Sequence, residues 1–287
     1  RSIHPPRHLG CGREIEPLWG VECLGAYVTK GLSAEPHDGN PPPRVWEERS
    51  GMINSIGLQN VGVRRFFRDY FPLFREKRVP VVVNFFGFSD DEYLQCASLI
   101  PDDELIIALE ANLSCPNIKR GGISFGKQPD TVYRIVKELK TLTAAPLLVK
   151  LTPEVKSIVD KARAAEDAGA DGLTIINTLP AAVVNVKERS IPIKGGLSGP
   201  LLKPIALRAV ADVSRSVAIP IIGVGGIMDH LDALAFFMAG ARAVQVGTAT
   251  FVDPFTIPKI VDQLQKYVDT CGIECVDSIV GIARGEG

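Results

Sequence analysis

A repeated unit constrains this chain more than any other feature: a short, almost wholly apolar run, then a polar or glycine-rich cluster, then a stretch with helical spacing of its apolar residues. The apolar runs fall at 26–29, 79–84, 105–113, 147–151, 172–177, 219–222 and 243–247. Their continuous apolar character marks strands buried on both faces, as in a parallel sheet, and not strands with one wet face. The intervening helical stretches are 63–77, 89–99, 129–141, 154–168, 200–217, 229–238 and 256–270. Several open on Ser, Asp or Pro and close near Gly, where helix caps belong. Nothing between the units resembles a linker or low-complexity spacer, so the alternation predicts a single α/β domain over residues 1–287.

A doubly wound sheet carries its Gly-rich turn after the first strand. Here the glycines gather late, at residues 223–226 and at Gly247, and a (β/α)8 TIM barrel with its active face at the strand carboxyl ends is the better fit. The count falls one strand short. The missing strand belongs before residue 25, yet Ile3-His-Pro-Pro-Arg-His-Leu-Gly-Cys-Gly12 reads as a poor strand because its prolines remove ladder donors. The expectation is a barrel whose first-strand region is truncated or altered. The bulk numbers exclude several classes. With 32 basic against 33 acidic residues, no nucleic-acid surface follows from charge. No run approaches the length of a membrane span, and the N-terminus lacks a secretory signal's apolar core. Six cysteines in 287 residues do not form a disulfide framework, so a cytoplasmic, reduced setting is expected. Cys271 and Cys275 are read as packing or surface residues, not a metal pair, because no second pair completes a site.

The strand ends carry the chemistry. Taken in order they present Lys30, Asn84, Asn112 with Cys115, Lys150, Asn177 with Thr178, the Gly223-Val-Gly-Gly226 turn, and Gly247-Thr248. Either lysine alone reads equally as a satisfied ion pair. Two at the ends of apolar strands point to an anionic or electron-accepting ligand, such as a flavin, whose reduced ring a lysine stabilises. The two late glycine turns suit a phosphate held by backbone N–H groups, against the plainer reading of tight βα turns. The stretch Glu110-Ala-Asn-Leu-Ser-Cys-Pro-Asn117 sets a lone thiol among amides and a hydroxyl at a strand end. No histidine neighbours it, which favours Cys115 as a general base over a Cys–His nucleophile pair. Two longer loops remain. Gly39-Asn-Pro-Pro-Pro-Arg44 leads into a segment at 51–60 whose backbone suits a small polar anion, and residues 117–126 form either a mobile cover or a plain surface loop.

The motifs Asn112-Leu-Ser-Cys-Pro-Asn117, Asn54-Ser-Ile-Gly-Leu58, Gly39-Asn-Pro-Pro-Pro-Arg44, Val149-Lys150, Ile176-Asn-Thr178, Gly195-Gly-Leu-Ser-Gly-Pro200, Gly225-Gly226 and Gly247-Thr248 together resemble the class 1 dihydroorotate dehydrogenases. The resemblance runs from about Gly10 to Tyr267 and is closer to the NAD-linked 1B group than to the fumarate-linked 1A group. It implies an FMN enzyme that oxidises (S)-dihydroorotate to orotate in pyrimidine biosynthesis. Cys115 would remove the C5 proton while hydride passes from C6 to the flavin. Substrate contacts would come from Lys30, Asn54, Ser55, Ile56, Gly57, Leu58, Asn112, Asn117, Asn177 and Thr178. FMN contacts would come from Lys30, Gly31, Asn84, Asn112, Lys150, Ile176, Gly199, Gly225, Gly226, Gly247 and Thr248. The resemblance also implies a homodimer and a second subunit carrying FAD and an iron–sulfur cluster. It fails before Gly10, where the family has a strand ending in Asn-Pro followed by an Ala-Ser-Gly turn. Two rival readings stand beside it: a dihydropyrimidine dehydrogenase-like flavin reductase, and a barrel left inactive by its altered N-terminus.

Overall fold

A computed structural model describes residues 3–4, 12, 16–113, 128–153 and 158–284. Its strands are β1 (Ile3–His4), β2 (Ala26–Val28), β3 (Val45–Glu48), β4 (Gly51–Asn54), β5 (Val81–Phe85), β6 (Ile106–Asn112), β7 (Leu147–Leu151), β8 (Gly172–Ile175), β9 (Leu179–Asn185), β10 (Ser190–Ser198), β11 (Ile221–Val224) and β12 (Ala243–Gln245). Eight of them close a parallel barrel in the order β1, β2, β5, β6, β7, β8, β11, β12. The helices are α1 (Glu16–Trp19), α2 (Val63–Asp69), α3 (Phe71–Glu76), α4 (Asp90–Ser98), α5 (Pro129–Lys140), α6 (Ile158–Asp167), α7 (Lys203–Ser214), α8 (His230–Ala239), α9 (Ala249–Val252) and α10 (Thr256–Cys271).

The strand absent from the sequence reading is β1. Ile3 pairs with Gln245 on one side and with Ala26 on the other, and His4 pairs with Tyr27. The prolines do not prevent this because the strand ends at His4, before either of them; only two residues need supply ladder groups. The helix expected over 63–77 is two helices that meet at Tyr70. Pro72 lacks an N–H, and its ring clashes with the carbonyl four residues back, so a continuous helix would break there. The helix expected from residue 200 begins as a 3-10 turn, Pro200–Leu202, and becomes α-helical only at Lys203.

Two apolar clusters define the layers. The larger packs strand side chains against the surrounding helices. The smaller gathers Ala26, Val28, Val82, Ala108, Leu148 and Ile222, from five strands, inside the ring. Side chains alternate across a strand, so residues two positions on from these also face inward, one layer nearer the carboxyl ends. That step takes Val82 to Asn84, Ala108 to Glu110 and Leu148 to Lys150. The barrel therefore has an apolar lower interior and a polar upper one.

A second sheet, ordered β3-β4-β10-β9, is antiparallel throughout. Of these segments, the sequence predicts a loop where β4 lies, within 51–60, and no element over 179–198. The sheet brings Asn54 opposite Gly196 and Ile53 opposite Leu197, and its residues form one wall of the cleft above the barrel.

Candidate active site

The floor of the cleft is a buried polar network. Glu110, on β6, is 0% exposed and Lys150, on β7, is 3% exposed. Lys150 Nζ lies 3.4 Å from Glu110 Oε1 and donates to Gln245 Oε1 at 3.1 Å. Gln245 Nε2 donates to Glu110 Oε2 at 2.9 Å, Thr174 Oγ1 donates to the same oxygen, and Asn84 Nδ2 donates to Oε1. Burial pushes the Glu110 carboxyl up. The Lys150 charge and the donors on Thr174, Gln245 and Asn84 outweigh burial, so the group lies below the usual carboxylate range. These partners come from β5, β7, β8 and β12; the register sets Asn84 opposite Glu110, and sets Lys150 opposite Asn112 and Thr174, two residues beyond the position opposite Glu110.

Above this floor the strand ends supply amides. Asn177 Nδ2 donates to Asn112 Oδ1 at 3.2 Å, and Thr178 N–H donates to Asn177 Oδ1 at 2.8 Å. The Tyr93 hydroxyl donates to the Asn112 carbonyl at 2.8 Å and fixes the end of β6. On the opposite wall, residues 54–58 turn sharply. Gly57 and Leu58 have φ of 70° and 60°, and a Cβ on Gly57 would come within 2.5 Å of the Asn40 backbone nitrogen, so only glycine fits there. Asn40 Nδ2 donates to Ser55 Oγ at 3.0 Å, and Arg44 Nη1 donates to Gln59 Oε1 at 2.7 Å. The proline-rich segment thus braces the turn from behind.

The cleft has a volume of about 840 Å³. Lys30, Gly31, Asn54, Ser55, Ile56, Gly57, Leu58, Asn84, Asn112, Lys150, Asn177 and Thr178 all line it. A smaller cavity of about 50 Å³ shares Lys150, Asn177 and Thr178 with it and is lined further by Ile176, Gly225, Gly226, Gly247 and Thr248. Gly226 has φ 76°, and a Cβ on it would lie 2.7 Å from the Lys203 nitrogen and 2.8 Å from the Gly199 oxygen. Gly199 lines neither cavity; it packs behind the glycine turn, where its own Cβ would meet Gly51 Cα at 2.9 Å. Cys115 and Asn117, with the loop at 117–126, lie outside the described residues.

The sequence reading gave no role to Glu110, Thr174, Gln245 or Thr152, nor to His37, Phe88 and Lys194 on the cleft walls. The available signal was Glu110 itself, a carboxylate inside an otherwise apolar strand. Lys194 and Gly196 become visible as wall residues only once the second sheet is known.

A parallel barrel with a polar, partly cationic cleft at its strand carboxyl ends, continuous with a glycine cradle after the last two strands, has the layout of an enzyme that binds a phosphate-bearing cofactor. The sequence model of one such family, dihydroorotate dehydrogenase, matches residues 9–268. The chain belongs to that family. Among curated relatives, the dihydroorotate dehydrogenase B (NAD(+)) catalytic subunit of Desulforamulus reducens is 47% identical over 279 residues, covering 96% of this chain and 92% of its own. Those of Trichlorobacter lovleyi and Geobacter sulfurreducens are 45% and 46% identical, covering 96% and 95% of this chain and 92% and 90% of their own. The crystal structure of Eimeria tenella DHODH in complex with ferulenol superposes with a TM-score of 0.75 at 23% identity, over 92% of this chain and 80% of that one. At that identity it shows the shared fold.

Proposed function

We infer that the chain is the catalytic subunit of a class 1B, NAD-linked dihydroorotate dehydrogenase, an FMN enzyme that oxidises dihydroorotate to orotate in pyrimidine biosynthesis. One observation carries this reading: a single cleft gathers Lys30, the 54–58 turn, Asn112, Asn177 and Thr178 beside a glycine cradle. The residues fit FMN. Gly225 and Gly226, both at positive φ, leave space where side chains would intrude, and with Gly247 and Thr248 they offer backbone N–H groups to a phosphate. Lys30, Gly31, Asn84, Asn112, Lys150, Ile176 and Gly199 would complete its holding set. Bound there, FMN supplies the acceptor for the hydride that leaves the substrate.

The chain's own groups do the rest. Asn112, Asn177 and Thr178 present amide and hydroxyl groups to a planar ring bearing N–H and C=O edges, and their mutual hydrogen bonds fix which atom donates. Lys30 and the backbone of Ser55, Ile56, Gly57 and Leu58 suit the substrate carboxylate. Cys115 takes the C5 proton, and Asn117 contacts the substrate beside it. The Tyr93–Asn112 hydrogen bond holds the strand end from which the Cys115 segment departs. Residues 1–287 act as one barrel domain, in a homodimer in the cytoplasm. Electrons leave through a partner subunit carrying FAD and an iron–sulfur cluster; the name catalytic subunit on the relatives supports such a partner. The test is an absorbance spectrum of the purified chain before and after anaerobic dihydroorotate. Bleaching of an FMN spectrum is expected, and a colourless chain that refuses added FMN refutes the reading.

A further inference from the structure

Glu110 is fully buried, and proton removal by Cys115 makes no use of it. A carboxylate taken out of water is costly unless it is matched by charge and hydrogen bonds. Its partners show what the matching serves. Asn84 and Lys150 both line the large cleft, and Gln245 lines the smaller cavity. Only Thr174, the fourth partner, lines neither. Glu110 therefore sits one layer beneath the cleft and grips three groups of its floor at once. It also places a negative charge 3.4 Å from the Lys150 ammonium.

We propose that Glu110 is a positioning residue that sets the reduction potential of flavin bound in this cleft, by fixing Asn84, Lys150 and Gln245 in the floor and offsetting part of the Lys150 charge. This rests on the FMN reading above. Reduction adds negative charge to the flavin ring, so a nearby cation favours the reduced form and a buried counter-anion opposes it. The Glu110–Lys150 pair places both signs beneath one ligand, in a low-dielectric interior where neither is screened by water. Gln245 bridges both members, accepting from the ammonium and donating to the carboxylate. A merely structural ion pair would affect folding and leave the potential alone.

The experiment measures the FMN midpoint potential and the affinities for oxidised and reduced FMN in the full chain, for wild type, Glu110→Gln and Thr174→Val. Glu110→Gln keeps the shape and removes the negative charge. It is expected to favour reduced over oxidised flavin about tenfold, a positive shift of about 30 mV for two electrons. Thr174→Val is nearly isosteric and removes one donor to the carboxylate. Glu110 then draws Lys150 closer, and the potential moves in the negative direction. Shifts of opposite sign support the proposal, and an unchanged potential in a folded, flavin-loaded Glu110→Gln overturns it. Should Glu110→Gln fail to fold or to hold FMN, Thr174→Val decides by the same criterion. A wild-type chain that binds no FMN instead refutes the cofactor reading, and this inference with it.

Discussion

Replacing Lys150 by Met tests the polar floor through stability alone, in the FMN-free protein. The ion pair spans 3.4 Å between groups that are 0% and 4% exposed in their side chains. At an effective dielectric of about 20 the attraction is roughly 5 kcal/mol, and breaking a buried pair by removing one partner costs about 3–5 kcal/mol. Lys150→Met should therefore lower the melting temperature at neutral pH by roughly 6–20 °C. The pH dependence carries the sharper test. In the wild type the Glu110 carboxyl lies below its ordinary value. Its contribution to stability is complete above the unfolded-state value and is lost as pH falls through the folded one. Without Lys150, desolvation faces only neutral donors and pushes the carboxyl above its ordinary value. The sign then reverses: the variant is relatively most stable at acid pH and loses stability as pH rises through the raised value. Adding Glu110→Gln removes the stranded charge and should restore about 2 kcal/mol at neutral pH. Circular-dichroism melts across pH 4.5–8 read all three proteins. Equal melting temperatures for Lys150→Met and the double variant at every pH would refute the reasoning.

Other consequences follow from individual residues. Gly226→Ala puts a Cβ against the Lys203 nitrogen and the Gly199 oxygen at a positive φ. Strain of about 1–3 kcal/mol should weaken FMN binding ~5–150-fold, measured by flavin fluorescence titration; unchanged affinity would remove the glycine turn from the cofactor site. Cys115→Ala should keep the flavin spectrum and slow flavin reduction by dihydroorotate ~10²–10⁴-fold in stopped flow, and an unchanged rate would discard Cys115 as the base. Gly196→Ala drives a methyl into the Thr178 hydroxyl, so KM for dihydroorotate should rise with little loss of bound FMN. Burial pushes the Cys96 thiol up to about 12, whereas Cys23, Cys271 and Cys275 are exposed. A thiol reagent should label those three in the native protein and reach Cys96 only on unfolding.

The parallel barrel was legible because its strands are buried on both faces, and a run such as Leu147 to Leu151 has few other uses in a soluble fold. The strands the sequence hid were those that do not meet that condition. β1 is two residues long, shorter than any window in which periodicity can be counted, and its neighbouring prolines argue against the whole segment when only its end matters. The second sheet was hidden by exposure. β9 alternates half-buried and exposed residues and carries Pro180. Because β9 lies at the edge of the order β3-β4-β10-β9, a proline there need cost no ladder bond.

The lining of the cleft was legible at the strand ends and illegible one step inside them. Asn112 and Lys150 stand out because each closes an apolar run next to a turn, where packing gives a polar side chain no purpose. Glu110 falls inside the run, and a lone carboxylate in a strand has no meaning until its face is known. The face was countable. Side chains repeat every two residues, so Glu110 points the same way as Asn112, and a one-residue slip would have turned it toward the helices instead. Pairing supplies the remaining step, since Asn84 opposite Glu110 and Lys150 opposite Thr174 put donors from neighbouring strands around one carboxylate. Below that level the inward residues are Ala108, Val82 and Leu148, and no buried charge finds a partner among them. The boundary between those layers fixes the depth of the cleft floor, and it lies between Ala108 and Glu110.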